Sequence, residues 1–413
     1  MTAHCPSVFP ADPILLLDLP PFTGSRALSP PAMARWAAGC RYAVAIPARN
    51  EEEAIGPCLQ AVVGSMRAAR RAGGVVVLVN NSTDDTYARA CRILSESGLA
   101  HLVLSVGFPE PLANAGTARR LALDLASALI DPRGTLMTTD ADTRVGRGWV
   151  DANLAGIDRG ADLVCGAIDI DPVEAGPVLA LMGPGYRSEA EYVDLSIELG
   201  ARLDPRAHDP LPRHRCAGGA SLAVRRSVYS EIGGMPTLAC GEDRAFVAAA
   251  EARDLFVTYS SDARVTTSFR LDGRASGGMA TTLAERLAGD HAPADDTVEP
   301  ASRAALRAWA RGRLRGCFEA RLPFGAEVLR ALGVTPGNEA SASGLFFGEV
   351  WRRIEERSPL LERQRISLAR VADELPAMRR LVTSLRGGGP VPATPNEARR
   401  WIAHCCARET EHG

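Results

Sequence analysis

The sequence predicts an α/β protein with a mixed, mainly parallel sheet flanked by helices and an appended C-terminal helical region. Between residues 42 and 140, short apolar runs alternate with segments of helical periodicity. Polar residues follow the ends of three of these runs, and residues 301–413 are rich in Arg and poor in strand formers. Strands that alternate with helices form parallel sheets with helices on both faces, so these observations together indicate this class.

The alternation begins with an apolar run at residue 42 and continues to a run that stops at Asp140. Short continuous apolar runs are typical of buried parallel strands, whereas longer periodic segments are typical of helices. We predict strands at 42–46, 75–79, 102–104 and in the run before Asp140, with helices at 51–71, 83–97 and 118–129.

After Asp140 the pattern is less regular. We predict strands at 161–166, 256–259 and 264–267, a helix at 242–253, helix and loop at 172–215, and loop and linker at 273–300. The resulting domain prediction is an N-terminal extension at 1–41, a catalytic domain at 42–285, a linker at 286–300 and an Arg-rich helical region at 301–413.

Composition excludes several classes of function. The net charge is −2, so no overall field attracts nucleic acid, and none is expected as a partner. All 47 basic residues are Arg, which excludes a lysine nucleophile or Schiff base. The sequence contains no apolar run long enough to span a membrane and no pattern typical of a signal peptide, so we expect a cytoplasmic protein.

The C-terminal region differs in charge from the rest of the chain. Residues 301–413 contain 19 Arg against 12 acidic residues. Amphipathic Arg-rich helices suit peripheral contact with a membrane, binding of a partner protein, or pairing with a second copy of the chain. The sequence leaves these alternatives open.

Asp140-Ala141-Asp142 follows a predicted buried strand. Carboxylates at such a strand end can hold Mg²⁺ or Mn²⁺ against a diphosphate, and Asp140 can also accept a hydrogen bond from a ribose hydroxyl. The alternative is a turn in which Asp caps a helix. We favour the metal site because polar clusters at the carboxyl ends of parallel strands converge at one edge of the sheet.

Two further clusters follow the first two predicted strands. Pro47, Arg49 and Glu51 come after the first, and Asn81 and Asp84 after the second. Short polar side chains here can contact the base and ribose of a nucleotide, while an Arg can bind phosphate or stack on a base. A solvated loop and a helix-capping turn are the structural alternatives.

Later in the chain, an acidic pair and two Arg residues are further candidates. Glu242 and Asp243 begin a predicted helix after a glycine-rich stretch, and we predict Asp243 as a general base with Glu242 as its helper. Arg270 and Arg274 are four residues apart and could clamp a diphosphate or an anionic acceptor. Surface charge with a local ion pair is the alternative for this last pair.

As a set, these motifs resemble the family 2 glycosyltransferases, which have the GT-A fold. The resemblance covers about residues 42–275, and its matching stretches are 46–52, 79–86, 114–119, 140–142, 218–220 and 241–243. It implies that Pro47, Glu51, Asn81 and Asp84 line the nucleotide, Asp140 the ribose and Asp142 the metal, with Asp243 as the base. We also place Arg119, at the end of stretch 114–119, among the donor-binding residues.

The sequence departs from the family at three points. Asn81 stands where the family usually has Asp, no His near residues 266–268 can supply the third metal ligand that many GT-A enzymes have, and the C-terminal region is Arg-rich. The segment around Arg270 is also similar to glycosyltransferases that act on small acidic acceptors, some of which retain anomeric configuration. Inversion is therefore an expectation rather than a consequence of the resemblance.

The expected function is transfer of a sugar from a UDP-linked nucleoside-diphosphate donor to a hydroxyl acceptor, with Mg²⁺ or Mn²⁺. Two alternatives remain open. A sugar-phosphate nucleotidyltransferase shares the sheet and the need for metal, but usually has a Gly-rich first loop and a later Lys, which this chain lacks. A non-catalytic nucleotide-sugar-binding or scaffold protein would act through the helical region.

Overall fold

The computed structural model describes residues 23–27, 34–36, 38–271, 279–287, 289–322, 324–336 and 346–407, the first of these ranges as backbone only. The chain forms two compact units. The sheet unit comprises Met1–Glu174, Cys216–Ala249 and Val257–Gly278, and the helical unit comprises Ala175–Arg215, Ala250–Phe256 and Met279–Gly413.

One mixed sheet forms the centre of the sheet unit. The described residues contain nine strands: β1 (Thr23–Ala27), β2 (Tyr42–Ala48), β3 (Gly73–Asn80), β4 (Ala100–Gly107), β5 (Thr135–Thr138), β6 (Thr143–Val145), β7 (Leu163–Ile170), β8 (Leu222–Arg225) and β9 (Val257–Thr267). Their order across the sheet is β1-β4-β3-β2-β5-β8-β7-β9-β6. Strands β2, β3, β4, β5, β7 and β9 point in one direction, and β1, β6 and β8 oppose them.

Helices connect the strands of this unit. They are α1 (Ile55–Ala68), α2 (Thr86–Ser97), α3 (Ala115–Leu129), α4 (Trp149–Asp158), α5 (Pro172–Leu181), α7 (Arg226–Ile232) and α8 (Glu242–Ala252), of which α5 and α8 run on into residues of the helical unit. Apolar side chains of α1 and α4, including Leu59, Val62 and Trp149, are buried in one core with Val44 and Val77 of the central strands. The central strands are covered by other residues on both faces, and their sequences are accordingly apolar along almost their whole length.

The helical unit contains the remaining helices. They are α6 (Pro184–Leu203), α9 (Met279–Leu287), α10 (Ala301–Glu319), α11 (Ala326–Ala331), α12 (Phe347–Arg357), α13 (Leu368–Arg386) and α14 (Pro395–Cys406). Their apolar faces meet in a second core that includes Tyr192, Trp309, Phe347 and Met378. Trp309 Nε1 donates a hydrogen bond to Pro392 O at 2.8 Å, so its one polar atom is satisfied inside this core.

The predicted fold class is confirmed: a mixed sheet, mainly parallel in strand direction, is flanked by helices and accompanied by C-terminal helices. Within the described residues, no helix is both long enough and apolar enough to cross a membrane. The compact units do not coincide with the ranges predicted from sequence, because residues 175–215, which include α6, pack with the C-terminal helices.

Several elements differ from the prediction. Strand β1 lies within the predicted extension and pairs antiparallel with β4. The two strands predicted at 256–259 and 264–267 are one strand, β9, and helix α9 lies in a segment predicted as loop. The sequence suggested a break in β9 because its polar central residues, Ser260, Ser261 and Asp262, interrupt the apolar pattern.

Pro47 does not follow the first strand but lies inside β2, paired in register with Leu78. Pairing of β2 with β5 stops at Ala45, whose carbonyl oxygen accepts the last bond on that side, from Thr139 N at 3.3 Å. The backbone nitrogen of Pro47 points toward this same side of β2, where β5 has already ended. A residue with an N–H at this position would find no β5 partner for it, so proline costs no hydrogen bond between the two strands.

Candidate functional site

The candidate residues lie at one edge of the sheet because of strand direction. Glu51, Asn81 and Asp140 follow the carboxyl ends of the parallel strands β2, β3 and β5. Arg270 follows β9, which runs in the same direction, and Gly219 precedes the antiparallel β8. Parallel strands end, and antiparallel strands begin, at the same edge, so distant parts of the sequence converge there.

Arg270 joins two carboxylates at this edge. Its guanidinium is forked on Glu51, with Nη1 to Oε2 at 2.9 Å and Nη2 to Oε1, and Nη2 also lies 3.1 Å from Asp142 Oδ2. Burial lowers the pKa of Arg270, but the hydrogen bonds and charge of Glu51, together with Asp142, raise it by more. The guanidinium is therefore a fixed positive charge between a buried Glu and the second Asp of the Asp-Ala-Asp motif.

The contact with Arg270 neutralises the negative charge of Asp142 only in part. Burial, followed by the charge of Asp140, raises the pKa of Asp142 to about 7, while Arg270 acts in the opposite direction. The backbone carbonyl of Asp142 accepts a bond from Ser268 N at 3.3 Å, which ties the motif to the segment after β9. A second positive charge near this carboxylate would be electrostatically favourable.

Arg119 forms a second, more deeply buried ion-pair network. Its Nη2 donates to Asp140 Oδ1 at 2.8 Å and its Nε to Glu242 Oε1 at 3.1 Å. Its Nη1 donates to Thr138 Oγ1 at 3.1 Å and to the carbonyl of Gly219 at 3.2 Å. Burial alone would lower the pKa of Arg119, but the surrounding carboxylates, Asp140 first, raise it by more.

Local structure places Arg119 in this position. Asn114 caps α3, its Oδ1 accepting a hydrogen bond from Thr117 N at 2.9 Å, and Arg119 lies on the first turns of the helix. The backbone of Gly219 passes directly over the guanidinium, since a Cβ at Gly219 would lie 2.5 Å from Arg119 Cζ. Only glycine permits this close approach.

Asp243 lies at the start of α8, beside this network. Its Oδ2 accepts a hydrogen bond from Gly219 N at 2.7 Å, and its Oδ1 accepts one from Arg244 N at 2.7 Å. The charge of Asp243 also contributes to raising the pKa of Arg119. An ionised carboxylate at a helix N-terminus is stabilised by the helix dipole, so the position suits an anionic Asp.

The site is rich in carboxylates and poor in cations. Glu51, Asp140, Asp142, Glu242 and Asp243 are connected through Arg119 and Arg270. The described residues contain no group of three His, Cys, Asp or Glu side chains arranged to hold a metal ion. Mg²⁺ commonly uses only one or two protein carboxylates, with phosphate and water as further ligands. Asp140 and Asp142 therefore fit a divalent cation as hard oxygen donors, although they would not enclose it.

Asn81 and Asp84 hold the loop after β3. Asn81, whose φ is 48°, donates from Nδ2 to Phe108 O at 2.9 Å and accepts at Oδ1 from Phe108 N at 3.1 Å. Asp84 accepts hydrogen bonds from Glu52 N at 3.0 Å and from Thr86 N at 3.1 Å. Burial raises the pKa of Asp84, but the hydrogen bond from the Thr86 hydroxyl at 2.5 Å, with those from the backbone, holds the pKa below its usual range. Both side chains thus shape the turn, which is compatible with their predicted contacts to a nucleotide, and those contacts remain a prediction.

Arg49 and Arg274 are the remaining sequence-predicted candidates. Arg49 Nη1 donates to Ala113 O at 3.2 Å, which connects the loop after β2 to the segment before α3. Arg274 lies outside the described residues, so its predicted role as half of a diphosphate clamp remains a prediction.

Two residues of the candidate site, Glu174 and Thr138, were not predicted from the sequence. Glu174 accepts bonds from Ser268 Oγ at 2.7 Å and from Phe269 N at 2.6 Å, and so fixes the segment that carries Arg270. Thr138 contacts Arg119 through its hydroxyl. Neither residue belongs to a recognisable motif, although the polar end of an otherwise apolar run at Thr138 could have drawn attention to that residue.

No family model matches the chain, and no curated protein matches it. Among solved structures, S. aureus TarS (residues 1–349) in complex with UDP is 14% identical, with 88% of this chain and 91% of that chain covered and a TM-score of 0.41. Glucosyl-3-phosphoglycerate synthase from Mycobacterium tuberculosis, in complex with Mg²⁺ and UDP, is 20% identical over 63% of this chain and 83% of that chain, with a TM-score of 0.32. A structure described only as a mycobacterial protein is 21% identical, with 62% and 76% covered and a TM-score of 0.34.

Proposed function

We propose that the sheet unit is a GT-A glycosyltransferase of the family 2 type, which moves a sugar from a UDP-linked donor to a hydroxyl group of an acceptor. The observation that carries the proposal is the convergence of three carboxylates at one sheet edge, where Arg119 connects Asp140 with Asp243 and Asp142 lies against Arg270. Two carboxylates at a strand end and a third at a helix start are the groups that metal-assisted sugar transfer needs.

Charge supports the use of a cation. Among the described residues, five connected carboxylates face two guanidinium groups, and this excess of negative charge would repel the diphosphate of a donor. Asp142 and Asp140 would hold Mg²⁺ or Mn²⁺, which when bound offsets the negative charge of the diphosphate. Arg119 would hold Asp140 in place, so that its carboxylate can also accept a hydrogen bond from the ribose.

On the donor side, the loops after β2 and β3 would form the nucleotide site. Arg49 and Glu51 of the first loop, with Pro47 near the end of β2, would line the nucleotide, while Asn81 and Asp84 contribute chiefly by holding the second loop in shape. Arg270 would bind the diphosphate, because a guanidinium forms two parallel hydrogen bonds with phosphate oxygens. To do so it would exchange its contact with Asp142 for one with the donor.

On the acceptor side, Asp243 would take the proton of the acceptor hydroxyl. The hydroxyl oxygen then forms a bond with the anomeric carbon, the bond from that carbon to the diphosphate breaks, and its electron pair leaves with the diphosphate. Attack opposite the leaving group inverts the configuration. Hydrogen bonds from the backbone of Gly219 and Arg244 hold the carboxylate in place, and Glu242, fixed by Arg119, supports the start of the helix.

The test is ligand-dependent thermal stability of the full chain with UDP, GDP, CDP or ADP, each with and without Mn²⁺. A ligand that binds only the folded protein raises Tm, by about 5 °C or more at 100 times its Kd. We expect a Mn²⁺-dependent shift with UDP that Asp142→Asn abolishes. Asp158→Asn is the matched control, since Asp158 forms an exposed ion pair with Arg71 outside the site.

Product analysis separates the alternatives. Release of UDP from a UDP-sugar, with transfer to a hydroxyl compound, supports the proposal. Release of pyrophosphate from a nucleoside triphosphate and a sugar phosphate would instead identify a nucleotidyltransferase. Nucleotide binding without any donor cleavage would indicate a non-catalytic protein.

A further inference from the structure

A cluster of Arg residues surrounds one carboxylate in the helical unit. Asp204 directly follows α6, Arg206 lies two residues later, and Arg311 and Arg315 are one turn apart on α10. A Cβ at Gly312 would lie 2.0 Å from the carbonyl oxygen of Leu203. The missing side chain therefore lets α10 pack directly against the end of α6, which brings both Arg residues to Asp204.

The three guanidinium groups share Asp204 unequally. Arg315 is forked on it, with Nε to Oδ1 at 2.7 Å and Nη2 to Oδ2 at 3.3 Å. Arg311 Nε is 3.6 Å and Arg206 Nη2 4.0 Å from Oδ2, both beyond hydrogen-bond distance. Arg315 thus binds both oxygens of the Asp204 carboxylate. Arg206 and Arg311 are attracted only by the part of the Asp204 charge that Arg315 does not neutralise.

Among the described residues, Asp204 is the one ion-pair partner of Arg311 and of Arg206. Arg311 Nε is buried and has no hydrogen-bond partner among the described residues. Glu251 contributes one more negative charge near Arg206 and Arg311, whereas Arg215 contributes a further positive charge near Arg311. Among the described residues, four guanidinium groups therefore act together with two carboxylates. A buried donor without a partner is costly, and a surplus of buried like charge is more so.

The pKa values agree with this surplus. Burial, then the charges of Arg311 and Arg315, lower the pKa of Arg206 to about 10. Burial likewise lowers the pKa of Arg311. Arg119 in the sheet unit is more deeply buried, yet it is surrounded by carboxylates and its pKa is raised instead. The difference between Arg119 and these two residues indicates that Arg206 and Arg311 have too little negative charge around them.

We propose that Arg206, Arg311 and Arg315 form a binding site for a phosphate group, either inorganic phosphate or the terminal group of a phosphate monoester. A phosphate dianion would balance the two surplus positive charges and would supply acceptor oxygens for Arg311 Nε and for the guanidinium of Arg206. Guanidinium groups bind phosphate through paired, charge-assisted hydrogen bonds, and several converging Arg residues are a common arrangement for this purpose. The site shares no residue with the proposed donor site and does not depend on the proposed function.

Calorimetric titration of the full chain tests the proposal directly. Inorganic phosphate and glycerol 2-phosphate are added in separate titrations, with acetate and sodium chloride at the same ionic strength as references. We expect saturable binding of one or both phosphate compounds and none of the references. Tighter binding of inorganic phosphate would identify the free anion as the ligand, and tighter binding of glycerol 2-phosphate would identify a phosphate monoester. Absence of saturable phosphate binding would overturn the proposal.

Variants locate the site. Arg206→Gln and Arg311→Gln are each expected to weaken phosphate binding by about tenfold or more, the size of effect of one hydrogen bond to a charged group. Arg379→Gln is the matched control, because Arg379 is exposed and forked on Glu191 at 2.6 Å in the same unit. Unchanged phosphate affinity in both cluster variants would place the binding elsewhere and overturn the proposal.

A stability measurement separates ligand binding from a purely structural role. Without phosphate, Arg206→Gln removes surplus positive charge, so Tm should stay the same or rise. With saturating phosphate, the variant should have a lower Tm than the wild type. If Arg206 instead serves only to bridge the helices, the variant would lose stability equally with and without phosphate, which would contradict the proposal.

Discussion

The guanidinium of Arg270 lies 3.1 Å from Asp142 and is forked on Glu51, so an Arg occupies the position beside the carboxylate best suited to a divalent cation. Among the described residues, no group of three His, Cys, Asp or Glu side chains is arranged to hold a metal ion. In the free protein, Arg270 therefore serves as the counter-charge of Asp142, and an incoming cation has to compete with it.

Arg270→Gln should consequently bind Mn²⁺ more tightly in the absence of nucleotide. A partly exposed ion pair contributes about 1 kcal/mol at most, which corresponds to roughly a fivefold gain in affinity. The same variant should bind UDP more weakly in the presence of saturating Mn²⁺, because the proposed contact with the diphosphate is lost. Electron paramagnetic resonance of free Mn²⁺ measures the first effect, and calorimetry the second.

Arg264→Gln is the control for this experiment, since Arg264 lies on β9, the strand that precedes Arg270, and forms an exposed pair with Asp169 at 2.7 Å. Both affinities should be unchanged in this control. Weaker Mn²⁺ binding in Arg270→Gln would mean that Arg270 supports the cation site rather than competing with it.

Asp243→Asn should abolish sugar transfer while leaving nucleotide binding intact. The one amide oxygen can still accept the hydrogen bond from Gly219 N, although the bond from Arg244 N is then lost, and the amide cannot take a proton. Loss of a general base typically costs 10²–10⁴ in rate, and we expect about a hundredfold loss or more in kcat. The measurement is release of UDP in the presence of an acceptor, alongside UDP affinity by calorimetry.

The Asp158→Asn protein provides the matched substitution at a surface position. A transfer rate close to that of the wild type in Asp243→Asn would assign the base to another residue. A parallel loss of UDP affinity would show that Asp243 shapes the donor site instead.

Arg119→Met should strongly destabilise the sheet unit. The substitution leaves Asp140 and Glu242 without their shared partner, and Glu242 is buried. Removing one member of a buried ion pair costs about 3–5 kcal/mol, because a charge remains in a poorly solvated position. Urea unfolding should show an earlier transition than in the wild type.

Arg71→Met is the comparison for this loss, because the pair of Arg71 with Asp158 is exposed on both sides. Its effect should stay within about 1 kcal/mol. Equal effects of the two substitutions would show that the Arg119 network adds no more than a surface ion pair.

The sequence predicted the strands better than the contacts between side chains. Continuous apolar runs such as the one at Val75–Val79 signal burial on both faces, and the strand ends then place Glu51 and Asp140 at one edge. The pairing of Glu51 with Arg270 could not be predicted, because the two residues are 219 positions apart and belong to no shared periodicity. Arg119 and Asp140, 21 positions apart, present the same difficulty.

Acid sensitivity of the helical unit should depend on Glu198. Its carboxylate accepts hydrogen bonds from Arg386 Nε and from Arg202 Nε, each at 2.8 Å. The bond from Arg386, with the further one from Arg202, lowers the pKa of Glu198 to about 2 despite opposing desolvation. A depressed pKa in the folded state means that the ionised form stabilises the fold above the unfolded value of about 4.3.

This stabilisation is fully present above about pH 4.5 and is lost as the pH falls toward 2. Glu198→Gln should therefore lower Tm at neutral pH, and the difference from the wild type should shrink steadily between about pH 4.5 and 2. Glu191→Gln is an informative companion, since Arg379 holds the pKa of Glu191 below its usual range at a more exposed position, where solvent weakens the pair. Its effect on Tm should be smaller. A Tm difference for Glu198→Gln that stays constant down to pH 2 would show that the Glu198 side chain contributes through packing and not through its charge.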